Sequence, residues 1–454
     1  MARLFLMSCN LTREPYPVYP LGMSMVAGAA RRHGHDVREW DLLAQGRDLE
    51  AAAAEIEVYR PDVIGLSLRN VDNIDSVSSI SYTDHYCQIV RFLKERFKVP
   101  VVIGGAAASL FPEELLAATG ADYAVQGEGE RTFCRLVEEI EQGSLPDLRV
   151  WHGLELLEED SFQSKGRDAD TARYYMREGG MLNIQTKRGC PHRCAYCTYY
   201  LLEGCRYRFR SPKEVVEEIV RLRDQYSMDY LAITDSTFND AEGHYLEVAE
   251  EMLRRQVQVN WMAFLRPQRF TEEEATLLKR AGLASIEWGS DCATDVTLAG
   301  MQKGFGWSEV EWSNQIFARL EIPNAHFIIF GGPNETEETV KEGLANLERL
   351  ERCVVFAFRG VRILPGTAVH RRALKEEIIQ PGQDLLQPVF YYSPGVDPDF
   401  IHRTILESFN GREDRIYPPA QDVDRIQAFH RMGYRGPVWD LLLSKKGRRP
   451  AFKG

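Results

Sequence analysis

Apolar positions in the first third of the chain fall in short runs separated by helical patterns. Arg3–Ser8 (RLFLMS), Asp36–Asp41, Asp62–Leu68 (DVIGLSL), Val99–Ile103 (VPVVI) and Asp122–Val125 each give four to seven strand-forming residues bounded by Pro, Gly or Asp. Between them lie helical stretches such as Leu21–His33, ended by Gly34, and Asp84–Phe97. Alternation of this kind predicts a doubly wound parallel sheet, with ligands beyond the carboxyl ends of its strands. The loops at those ends are Cys9–Pro20, Ser67–Asn73, Gly104–Ser109 and Gly127–Glu130 (GEGE). Glycine there allows close backbone approach to a bulky ligand, although each turn on its own also reads as a plain strand-to-helix connection. Neither a P-loop nor a G-x-G-x-x-G after the first strand is present, which disfavours nucleoside triphosphates and nicotinamide. Residues 144–180 lose periodicity and read as a surface linker.

Composition narrows the class. The chain has 454 residues, enough for about three domains, and its 44% hydrophobic and 27% charged content is that of a globular protein. A net charge of −12 argues against a nucleic-acid-coating or anionic-membrane protein. The longest apolar-and-small run, Val101–Phe111, is too short to span a bilayer, and no signal peptide is evident. A reducing cytoplasm is the expected location. In that compartment clustered thiols point to metal or catalysis rather than disulfides.

Three of the nine cysteines sit in one window, Cys190, Cys194 and Cys197, spaced C-x₃-C-x₂-C behind the strand Met181–Thr186. A closed zinc site needs four ligands, and only His192 and Cys205 lie nearby. Three thiolates on an iron–sulfur cluster leave one iron open for a ligand. Lys187 and Arg193 supply positive charge that favours thiolates.

This motif, with Tyr196 just before the third cysteine, resembles the radical S-adenosylmethionine (SAM) superfamily. Downstream, Arg208–Pro212, Tyr230–Asn239 (YLAITDSTFN), Val259–Pro267, Ala281–Ser290 followed by Met301-Gln302-Lys303, Phe327–Thr336 (FIIFGGPNET) and Arg362–Thr367 (RILPGT) resemble the successive segments of its barrel, the last as the sixth strand. With its N-terminal α/β unit the chain is similar to the cobalamin-binding radical SAM group. The resemblance implies a flavodoxin-like, doubly wound cobalamin-binding domain (1–143), the linker, a partial (βα)₆ radical SAM barrel (181–375) and a mainly helical C-terminal region (376–454), a substrate lid or a plain cap.

The implied cofactors are a [4Fe–4S] cluster on Cys190, Cys194 and Cys197, SAM, and cobalamin. Cobalamin is expected against Ser67, Leu68, Arg69, Asn70, Gly104, Gly105, Gly127, Glu128 and Gly129. SAM is expected against Tyr196, Asp235, Ser236, Arg266, Glu287 and Ser290; each of these polar groups is equally readable as a solvated strand-end residue. The D-x-H-x-x-G motif that supplies an axial histidine in many cobalamin proteins is absent, so cobalt would be held without one. Arg69 is expected under the corrin, or else as a solvent-facing loop residue or one paired with Asp72 or Asp75. A similar arginine is associated with the tryptophan 2-C-methyltransferase branch. The implied activity is transfer of a methyl group from SAM, via methylcobalamin, to a carbon of a small-molecule or peptide substrate. Flavodoxin or ferredoxin would be the electron donor. A non-methylating rearrangement, cyclisation or oxidation, and an iron–sulfur redox or scaffold protein without turnover, are the alternatives.

Overall fold

The structure is a computed structural model describing residues 1–13, 15–143, 147–153, 156–158, 162, 166–419 and 423–443. Parts of the expected linker (144–146, 154–155, 159–161, 163–165) and the end of the C-terminal region (420–422, 444–454) lie outside the described residues.

Six strands form the first sheet: β1 (Arg3–Ser8), β2 (Asp36–Asp41), β3 (Val63–Ser67), β4 (Val101–Gly104), β5 (Tyr123–Gly127) and β6 (Val150–Gly153). All pair in parallel in the order β2-β1-β3-β4-β5-β6. The order reverses at β1, which places the ligand crevice beyond the ends of β1 and β3. Strands covered on both faces must be apolar throughout, as VVIG and VIGLS are.

Seven further strands build an open parallel barrel: β7 (Leu182–Ile184), β10 (Tyr230–Ile233), β11 (Asn260–Leu265), β12 (Leu283–Asp291), β13 (Asn324–Phe330), β14 (Cys353–Arg359) and β17 (Arg415–Ile416). They follow one another in space as β7-β10-β11-β12-β13-β14-β17. Two antiparallel ribbons flank the mouth, β8 (Lys187–Arg188) with β9 (Arg208–Phe209), and β15 (Val361–Arg362) with β16 (Phe390–Tyr391). Crossover helices start on side-chain caps: Ser211 with Pro212 behind it, and the Thr271–Glu274 capping box.

The sixth barrel strand is a correction to the sequence reading. It is β14, CVVFAFR, and RILPGT lies beyond it, in β15 and the turn that follows. The reason is local: Pro365-Gly366 breaks a strand, while Arg362 turns to a buried ion pair with Asp72 in the loop after β3, Nε–Oδ2 2.7 Å. The stretch read as a connector also carries structure, because β6 completes the first sheet and Ala169–Glu178 forms a helix. The C-terminal region is mainly helical, as expected, but lends β17 to the barrel. Its Val438, Trp439 and Ile426 pack against Tyr230, Met262 and Phe356 inside the barrel.

The two units share a core. One buried apolar cluster runs from Phe5 and Ile103 through Ala195 and Met301 to Ile328 and Ala357. A buried ionic joint adds to it. Glu128, ordered by the GEGE turn, takes both guanidinium nitrogens of Arg208 at 2.5 and 3.0 Å, and Arg188 donates to Glu130 at 2.6 Å. The two arginines hold the Glu128 carboxyl below its usual range against the penalty of burial.

Candidate functional site

The cysteine loop is fixed mainly through backbone. Gly189, at φ +86°, sits where a Cβ would lie 2.0 Å from the Arg206 carbonyl, so only glycine lets the chain turn out of β8 into Cys190. Cys190 N–H donates to the Gly204 carbonyl at 3.0 Å, Ala195 N–H to Met301 at 2.8 Å, and Cys197 N–H to Cys194 at 3.1 Å. Burial raises the Cys190 and Cys197 thiols, Cys197 to about 12, and the neighbouring Cys194 sulfur adds to both.

Among the described residues no three His, Cys, Asp or Glu side chains converge on a point for one metal ion. Three thiols distributed along a loop suit a cluster in which each takes a different iron, rather than a single zinc. Two cations complete the fit. Lys303 is fully enclosed; burial opposes its charge, but Asp291 and Cys194 hold the ammonium above its usual range. Burial lowers Arg266, and Cys194, Tyr207 and Cys190 partly restore it. Both would balance a negatively charged cluster.

The expected SAM residues separate. Arg266 stands at the mouth, with its guanidinium on the Lys303 carbonyl at 2.5 Å and 4.7 Å above Phe305. Tyr196 donates to Asp291 at 2.6 Å, and Asp291 in turn pairs with Lys303. Asp235 is buried and structural: it accepts from Thr186 N–H at 2.7 Å and Thr186 Oγ1 at 2.5 Å. Ser236 donates to the Gly189 carbonyl at 2.8 Å. Ser290 is fully buried, with its hydroxyl 2.9 Å from His326 Nδ1. Glu287 faces the barrel interior four residues before Asp291, which is about 13 Å of strand below the mouth, and accepts from Tyr16 at 2.9 Å. Asp291 and Lys303 were missed as functional residues; the Met301-Gln302-Lys303 loop was their signal.

A cleft of about 250 Å³ opens at the carboxyl ends of β3, β4 and β5, lined by Ser67, Gly104, Gly105, Gly127, Glu128 and Gly129. Gly22, which the sequence reading did not place among the binding residues, faces it with nothing within 4 Å of where its Cβ would be. Leu68 is buried, and its carbonyl accepts from Ala107 N–H at 3.1 Å. The Asn70 carbonyl accepts from Tyr86 at 2.6 Å. Arg69 is exposed and, among the described residues, forms no hydrogen bond or ion pair, since Asp72 is taken by Arg362. Tyr199 and Leu202, just past Cys197, line the same cleft. Thiol loop and glycine turns therefore border one space.

The B12-binding domain model matches residues 8–137, and the radical SAM superfamily model matches residues 184–347. The chain is a B12-binding radical SAM protein. The tryptophan 2-C-methyltransferase of Streptomyces laurentii is 24% identical, over 77% of this chain and 71% of its own length. The cytidylyl-2-hydroxyethylphosphonate methyltransferase of Streptomyces wedmorensis is 23% identical, over 91% and 90%. The solved radical SAM methyltransferase TsrM of Kitasatospora setae, with tryptophan substrate and a SAM analogue bound, superposes with a TM-score of 0.85 at 22% identity, covering 98% of both chains. That likeness establishes the two-domain fold. Among the described residues no helix is long and apolar enough to cross a membrane.

Proposed function

We propose that this B12-binding radical SAM protein transfers a methyl group from SAM to a carbon centre of a small molecule. The observation that carries the reading is the shared border of the two sites: Tyr199 and Leu202 leave the thiol loop and enter the cleft of Gly104 and Gly127. When bound, the cluster supplies an open iron for SAM and reducing equivalents, and cobalamin supplies a methyl-carrying cobalt. The chain's own residues do the positioning. Cys190, Cys194 and Cys197 hold the cluster, and Arg266 at the mouth meets the SAM carboxylate in a charge-assisted pair. The Lys303–Asp291–Tyr196 chain fixes the thiol loop from behind. Gly104, Gly105 and Gly127 admit the corrin's bulk. Arg69, exposed in the loop after β3, would face the bound corrin and, always protonated, would be a poor ligand for its metal. The Glu128–Arg208 joint keeps both loops in register and excludes water between them.

The relatives named methyltransferases favour this activity over rearrangement or oxidation, and Arg69 favours a polar route over a radical one. Flavodoxin or ferredoxin remains the proposed reductant, and the cytoplasm the proposed location. The test is anaerobic reconstitution with iron, sulfide and hydroxocobalamin, then product analysis with SAM and L-tryptophan as the first candidate substrate. S-adenosylhomocysteine with a methylated product supports the reading. 5′-Deoxyadenosine without a methylated product contradicts it.

A further inference from the structure

Most enclosed acids among the described residues face a cation, while Asp41 and Asp75 accept from the Tyr175 hydroxyl and the Val77 N–H instead. Glu218 pairs with Arg167 and Arg210, Asp240 with Lys187, Asp291 with Lys303, and Glu128 with Arg208. Glu335 lacks a cation but holds the Thr339 hydroxyl at 2.6 Å and the Gly331 N–H at 3.2 Å. Glu287, inside the barrel, has a single hydrogen bond among the described residues, from Tyr16, and no cation beside it.

Register shows where it points. Along β12 the residues flanking it, Ile286 and Trp288, face the outer core, whereas Ala284 faces inward. Its cross-strand neighbours are Phe264 and Ala325. Phe264, Phe327 and Phe358 are half-buried on the same inner face, while Met262 and Val354, nearer the strands' amino ends, are fully buried. Glu287 itself is half-buried although it lies mid-strand. Partly exposed aromatic rings therefore share the barrel's inner face with this carboxylate, and Tyr16, carried in on the loop after β1, donates to it and touches Met262.

We propose that Glu287, braced by Tyr16, is the anchor for the substrate rather than for SAM, and that it selects a protonated amine carried on a flat apolar body. A half-buried carboxylate with no cation beside it draws one from its ligand, since partial desolvation strengthens the pairing. The phenylalanine faces take the apolar body and add cation–π attraction near the amine. This rests on the methyltransferase reading only for which molecule fills the space.

The test measures binding, not turnover. The holoprotein is titrated by equilibrium dialysis with 2-phenylethylamine and, as an anion of similar shape, 3-phenylpropionate. The amine binds at least about tenfold more tightly than the acid. Glu287→Gln removes at least about tenfold of amine affinity and abolishes the preference, while Tyr16→Phe keeps the preference at reduced affinity. Corrin and cluster absorbance stay unchanged in both variants. Equal binding of the two probes, no amine binding at millimolar concentration, or wild-type amine affinity in Glu287→Gln with preference retained in both variants overturns the assignment. Should Glu287→Gln not fold, Tyr16→Phe and the two-probe comparison decide. Failure of wild-type protein to take up corrin and cluster would instead sink the functional reading.

Discussion

Gly105→Ala and Gly22→Ala separate two uses of glycine at the corrin cleft. Gly105 adopts φ +93°, ψ −176°, a region essentially reserved for glycine, where a side chain costs about 1–3 kcal/mol. A Cβ there would also stand 2.6 Å from the Leu68 carbonyl oxygen, which already accepts from Ala107. Relieving that overlap costs a further ~1–3 kcal/mol, for a combined loss of roughly 3 kcal/mol. In a unit the size of the first domain this lowers the melting temperature by about 10 °C. Gly22 has open space instead, so alanine leaves the apoprotein's melting unchanged or slightly raised. Its methyl group projects into the cleft and weakens cobalamin binding on the order of tenfold. Differential scanning fluorimetry of the apoprotein and spectrophotometric cobalamin titration read the two effects apart. A Gly105→Ala protein that melts like wild type, or a Gly22→Ala protein that binds cobalamin like wild type, would refute the reasoning.

Other outcomes follow from the same geometry. Asp235→Ala, which strips Lys187 and Thr186 of a buried partner, should destabilise the fold by about 3–5 kcal/mol, read as a lower urea midpoint; an unchanged midpoint would return Asp235 to the list of ligand contacts. Cys194→Ala should abolish cluster absorbance and turnover while corrin uptake persists, and joint loss of both would contradict separate sites. Burial lifts the Glu335 carboxyl to about 7, against the hydrogen bonds that lower it. The folded state then holds a proton that the unfolded state has released above its usual pKa of 4.5. Stability contributed by this group is therefore lost as pH rises from 4.5 to about 7. Glu335→Gln should flatten that part of the pH–stability curve, and an unchanged slope would show that Glu335 is not its source.

β1, β3, β4 and β5 were legible because they are largely apolar runs closed by Gly, Pro or Asp, β2 (DVREWD) by its place between helical stretches, and the thiol loop because its spacing is chemically specific. β6 was not, since four residues, VWHG, are too few for periodicity and owe their strand form to pairing with β5. The sixth barrel strand was misplaced because CVVFAFR carries no motif, whereas RILPGT does. Asp235 and Ser290 sit at strand ends, where sequence cannot distinguish a side chain facing the mouth from one tied to its neighbours; their hydrogen bonds to Thr186 and His326 are visible only in the structure. Glu287 was expected against SAM, and its depth in the barrel follows only from register.

The central claim, that thiol loop and corrin cleft serve one methyl transfer, is tested most directly by following a deuterated methyl group. Reconstituted enzyme whose cobalamin has first been reduced to cob(I)alamin by a low-potential reductant, then incubated anaerobically with SAM carrying that methyl, should yield labelled methylcobalamin and S-adenosylhomocysteine before any substrate is added. Protein that binds both cofactors yet leaves cobalamin unlabelled and forms no S-adenosylhomocysteine would contradict the account.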